Sequence, residues 1–197
     1  MTAREFREFS KKELLKRLDK MNLGKDKIIY FSDKELKEIE DFAKKVVQEK
    51  MKEEVHQKDC GREVERWMNG YLGEKAVEKF LGVSFSDKTV GKSKSYAFPD
   101  LESIGYKVGV KTCRFPNFPT INRDIHTPQI FVMISGDGKR ATILGLADVN
   151  LLKENLDNKD NNDLVYAKSM LERKTAFSML TKLKKFKSLE DLKDYKK

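Results

Sequence analysis

Three ionisable residues in the middle of the chain, Glu74, Asp100 and Lys111, have types and spacing suited to phosphodiester hydrolysis. That chemistry needs carboxylates to hold a divalent cation and a positive side chain beside the attacking water or the scissile phosphate. Asp100 follows Pro99, which biases Phe98 away from helix. The stretch "FPDLESIGYKVGVKTCR", from Phe98 to Arg114, reads as two short strands folded back on each other. In the second, Tyr106, Val108 and Val110 alternate with Lys107, Gly109 and Lys111, so Lys111 faces away from the apolar side and toward Asp100. Glu74 would enter the same cleft from a preceding helix.

The elements that must position these groups follow from hydrophobic period and punctuation. Phe6, Phe9, Leu14, Leu15 and Leu18 predict a short helix over residues 4–20, which Gly24 ends. Ser32 and Glu35 form a capping box before Leu36, Ile39, Phe42, Ala43, Val46, Val47 and Met51, predicting a helix from 33 to about 57 that lies with one face on a core. A further helix is expected from Gly61 or Arg62 to Phe80, with Trp67 in the core. Within it Gly70 and Gly73 flank Glu74 and allow a close backbone approach. Strands are expected at 106–111, 130–134 and 141–146, the last two joined by a hairpin turn in "SGDGKR". "FPNFPTINRDIHTP" reads as a loop, and "ENLDNKDNNDLV" as another. A helix is then expected over 168–183, and Ser188 with Asp191 caps a short last one. The order predicts an α/β or α+β domain, a mixed sheet flanked by helices over residues 61–197, preceded by a helical extension over 1–60.

The net charge of +9 is concentrated: Lys88 to His126 carries seven basic and three acidic residues, and Lys168 to Lys197 ten and four. Clustered positive charge favours a polyanionic partner through counterion release, against the plainer reading of a lysine-rich solvated surface. With 37% charged residues and no apolar run near the roughly 20 residues that span a bilayer, a cytoplasmic protein without membrane contact is expected. Cys60 and Cys113 have no zinc-like spacing and read as free thiols. His56 and His126 are isolated, and Ser93 and Ser95 do not fit a phosphate-binding loop. Phe115 and Phe118 could stack bases or cover the edge of a core.

"YLGEKAVEKFLG", followed by "FPD" and then "VGVKT", resembles the PD-(D/E)XK nuclease superfamily over about residues 62–147. The resemblance implies a restriction-endonuclease-like fold and a Mg²⁺-dependent DNA endonuclease, with Mn²⁺ as a substitute and a second copy of the chain as a candidate partner. It makes Asp100 a metal ligand, Glu74 the helix carboxylate on the metal, Lys111 the motif lysine, and the Val110 carbonyl a further ligand. Gly109 departs from the pattern, since the second acid belongs there. If residues 100–102 are extended, Glu102 could reach the space above Gly109 and fill the gap. Lys92, Lys94, Arg114 and Arg123 are candidate phosphate contacts. The rival readings are a nuclease-fold protein that binds nucleic acid without cutting it, and a protein-interaction module.

Overall fold

The computed structural model describes residues 3–52, 60–90, 99–117, 119–122, 126–157, 173–175 and 179–197. Its centre is an open four-stranded mixed sheet in the order β1 (Ile28–Tyr30), β5 (Arg140–Ala147), β4 (Gln129–Ile134), β2 (Gly109–Arg114). β2 runs parallel to β4, while β4 with β5 and β5 with β1 are antiparallel. The hairpin joining β4 to β5 turns through "SGDGKR", where Gly138 takes φ 77°, a left-handed conformation that costs a residue without Cβ little.

Period-2 alternation divides the sheet into two buried faces. Val108, Ile130, Val132, Ile134, Ala141 and Ile143 pack against α2 (Asp33–Lys50) and α3 (Cys60–Leu81) through Ile39, Tyr71, Leu72, Ala76 and Val77. Cys113, Phe131, Met133 and Leu144 form the second face, under Leu14 and Met21 of α1 (Ala3–Met21) and Leu152 of α4 (Val149–Asp157). Residues 3–52 thus contribute an edge strand to the sheet and a helix to each face. The capping box at Ser32 forms as expected, and Glu35 also accepts from Lys79 at 2.7 Å, tying α2 to α3. That bond, with those from Ser32, holds the Glu35 carboxyl down at about 2.

Several boundaries differ from expectation. Pairing in β2 begins at Gly109, where the amide donates to Pro128 O, because Tyr106 to Val108 are instead bonded to Leu101, Tyr195 and Lys196. Pro99 to Gly105 is a turn with a 3-10 segment at Glu102–Ile104, so the opening stretch of the motif is one strand preceded by a tight turn. The proline-rich loop contains β3 (Thr120–Asn122), which pairs with β6 (Arg173–Thr175) around the fully buried Ile121. The helix expected over 168–183 is contradicted there by β6 and by a 3-10 turn at Leu180–Lys182. "ENLD" is the last part of α4, whose start is capped by Asp148 accepting from Leu151 N at 2.9 Å. The expected helix extension over 53–57 lies outside the described residues.

Candidate functional site

Gly73 sets the site's geometry. A Cβ there would lie 1.8 Å from Thr112 Oγ1, so only glycine lets α3 come this close to β2. The next residue, Glu74, is thereby brought to the open edge of the sheet. β2 is an edge strand, and since the Gly109 N–H points to β4, alternation turns the N–H and C=O of Val110 away from it. Asp100 meets that edge: its Oδ2 accepts from Val110 N at 2.5 Å, while Leu101 N donates to Val108 O at 3.0 Å and closes the turn.

Glu74 and Asp100 are half-buried neighbours lining one cleft, and both carboxyls are pushed up from their ordinary values. Burial, then the Asp100 charge, then that of Glu78 push the Glu74 carboxyl up to about 8. Burial also raises Asp100, outweighing the Val110 hydrogen bond and the positive charge of Lys111 that act in the other direction. Two acids arranged so that both cannot readily ionise are a pair short of positive charge. Among the described residues no three His, Cys, Asp or Glu side chains converge, so the side-chain donors here are these two. Two carboxylates beside an edge carbonyl suit Mg²⁺, which commonly takes one or two protein carboxylates and leaves its other positions to water and phosphate.

Two hollows meet at Glu74. A cleft of about 820 Å³ extends toward Trp67, Tyr71, Asp87 and Lys197, and a groove of about 380 Å³ extends along β2 past Lys111 and Thr112. Both are lined by Arg66, Gly70 and Glu74, so they adjoin across these residues. Lys111 lines the groove, two residues along β2 from Gly109.

Other expected site residues are placed differently. Glu102, in its 3-10 turn, lines the cleft but accepts from Lys197 Nζ at 2.6 Å and is not extended alongside Asp100. The space above Gly109 is taken by Gln129: a Cβ at 109 would lie 2.7 Å from both amide atoms of that side chain. Gln129 is itself anchored by donating to Thr127 O and Oγ1 at 3.2 and 3.0 Å. Arg114 ends β2, where it donates to Asn69 Oδ1 at 3.1 Å and pairs with Glu65 at 3.6 Å, on the same helix as Glu74. Lys92, Lys94 and Arg123 lie outside the described residues. Cys113 is a buried free thiol whose pKa burial pushes up to about 12. His126 is exposed and away from the carboxylate pair, in a separate hollow with Asp148 and Asp194.

Trp67, expected in the core, is half-buried and lines the cleft, with Lys50 Nζ 4.4 Å from its ring centroid. Sequence reasoning also missed Tyr71 and Gln129. For the aromatic pair a signal existed: Trp67, Tyr71 and Glu74 are spaced i, i+4, i+7, one stripe of a helix. For Gln129 there was none, because its role depends on a cross-strand register.

The class that fold and site define is an open mixed α/β sheet with a carboxylate pair at its parallel edge. No protein-family model, curated protein or solved structure matches the chain. No helix among the described residues is long and apolar enough to cross a membrane.

Proposed function

We propose that the chain is a metal-dependent DNA endonuclease of the PD-(D/E)XK type, built on a restriction-endonuclease-like sheet. One observation carries this reading: Glu74 from α3 and Asp100 from the turn converge on the edge of β2, beside Val110 and in a cleft that adjoins the groove lined by Lys111. Glu74, Asp100 and the Val110 carbonyl would hold Mg²⁺ or Mn²⁺. Bound there, such a cation supplies Lewis-acid polarisation of a phosphoryl oxygen and neutralises both carboxylates. The Lys111 ammonium donates hydrogen bonds to a water or phosphate oxygen in the groove and offsets negative charge that grows at phosphorus. The excess of lysine and arginine draws the polyanion to the surface.

One observation favours a second reading, a protein of the same kind that binds nucleic acid without cutting it. Where the strand's own second acid would project, the neutral Gln129 amide fills the space.

Nicking of supercoiled plasmid separates the two. Wild type is expected to nick in Mg²⁺ or Mn²⁺ and not in EDTA, and Lys111→Ala to nick about a hundredfold more slowly. Nicking that survives both EDTA and Lys111→Ala overturns the endonuclease reading. Salt-sensitive DNA retention without nicking transfers support to the second.

A further inference from the structure

We infer that the cleft beside Glu74 holds an unpaired nucleotide, so that the substrate is single-stranded or locally unpaired DNA; that the polymer is DNA rests on the reading above. α3 presents Trp67, Tyr71 and Glu74 along one stripe, so two aromatic rings lead directly to the carboxylate pair. The volume, about 820 Å³, falls within the ~300–1,000 Å³ typical of small-ligand pockets, enough for a nucleoside and not for a duplex.

Three features of the lining specify the occupant. Trp67 is half-buried, and Lys50 Nζ lies over its ring at 4.4 Å from the centroid, so the cleft wall already holds a cation on an aromatic face. Tyr71, one turn further along α3, lines the same cleft with only 7% of its surface exposed. The charged lining is also mixed, Asp87 and the Glu102–Lys197 ion pair lining it with Lys50 and Arg66, where a groove for duplex backbone alone would be basic throughout. Carboxylates suit the exocyclic amines of a base, and the cations suit its phosphate.

A paired base hides both faces in the stack and its polar edge in its partner, so it cannot stack on an indole in the wall of a cleft. An unpaired base can. Because cleft and groove share Arg66, Gly70 and Glu74 in their linings, a strand with its base against Trp67 can run its backbone past the carboxylates toward Lys111.

Trp67 is the only tryptophan, so its emission reports occupancy without a label. In EDTA, where no hydrolysis is expected, oligothymidylate should quench that emission and a blunt hairpin duplex should not. By anisotropy of fluorescein-labelled oligothymidylate, Trp67→Ala should bind about 5- to 150-fold more weakly, and Trp67→Phe should retain most of the affinity. Duplex binding at least as tight as single-strand binding with Trp67 emission unchanged overturns the inference. So does a Trp67→Ala variant that binds the single strand as wild type does. Either result leaves metal-dependent nicking standing, whereas quenching without any nicking sinks the endonuclease reading and leaves the pocket.

Discussion

Glu74 and Glu78 lie one turn apart on α3 and carry the same group into opposite circumstances. Glu78 is 5% exposed and saturated: its Oε1 accepts from Phe85 N, Ser86 N and Ser86 Oγ at 2.7 Å each, and its other oxygen pairs with Lys75. Burial raises its proton affinity, yet the bonds from Lys75, Ser86 and Phe85 outweigh that and the net direction is down. Glu74 faces a second acid instead and is pushed up to about 8. The helix has thus built one carboxylate into the fold and left the other unneutralised at the junction of two hollows. A strongly perturbed acid with an identified charged neighbour in a cleft is a candidate functional group, whereas the role of a satisfied one is accounted for by the fold.

The comparison breaks most visibly at Glu78. Glu78→Ala strands the Phe85 and Ser86 donors and removes the partner of Lys75, so it should cost about 3 kcal/mol or more, read as a lower urea midpoint. The loss should not depend on Mg²⁺. If Glu78→Ala unfolds no more easily than wild type while Glu74→Gln does, the roles assigned to the two residues are reversed.

Glu74→Gln and Asp100→Asn test the other side. Each should slow nicking by about a hundredfold or more, since even indirect disturbance of a metal site costs about 10- to 100-fold, and neither should lower the melting temperature in EDTA. Mg²⁺ should raise the melting temperature of wild type and not of these variants. The pH dependence has a definite sign. Without cation the folded Glu74 keeps its proton up to about pH 8, whereas the unfolded chain releases it near 4.5. Between these values the folded state binds more protons, so stability falls as pH rises. A urea midpoint followed across this window should decline in wild type and decline less in Glu74→Gln; an identical slope in both would remove the evidence that Glu74 is unneutralised.

What was legible in the sequence was local. The capping box at Ser32, the apolar stripes of α2 and α3, the buried run of β4 and the turn around Gly138 all follow from bonds within a few residues of one another. The closeness permitted by Gly73 was legible as well, although its partner Thr112 was not. Illegible elements depend on distant chain. β1 has three residues and exists because β5 pairs with it, and β3 and β6 hold each other. At the site, the order of Glu74, Asp100 and Lys111 was readable from residue types, but the occupant above Gly109 was not: the parallel register that sets Gln129 beside it is formed across 20 residues of chain.

Glu102 gives the smallest expected effect and the sharpest limit on the carboxylate pair. In an extended segment it would share a face with Asp100 and complete the site, and Glu102→Gln would then be as inactive as Asp100→Asn. Its 3-10 turn instead directs it to Lys197, in an ion pair whose side chains are 22% and 56% exposed. Partly exposed pairs of this kind contribute about 0–1 kcal/mol, and the lysine screens the carboxylate from Asp100. Glu102→Gln should therefore change nicking by less than about threefold and the melting temperature by no more than a degree or two. A variant as dead as Asp100→Asn would mean that Glu102 leaves Lys197 and joins Glu74 and Asp100 when cation binds. In that case Lys197→Ala should speed nicking or tighten Mg²⁺ binding, because it would free the third carboxylate; if Lys197→Ala changes neither, a loss in Glu102→Gln has to come from the turn and not from a ligand.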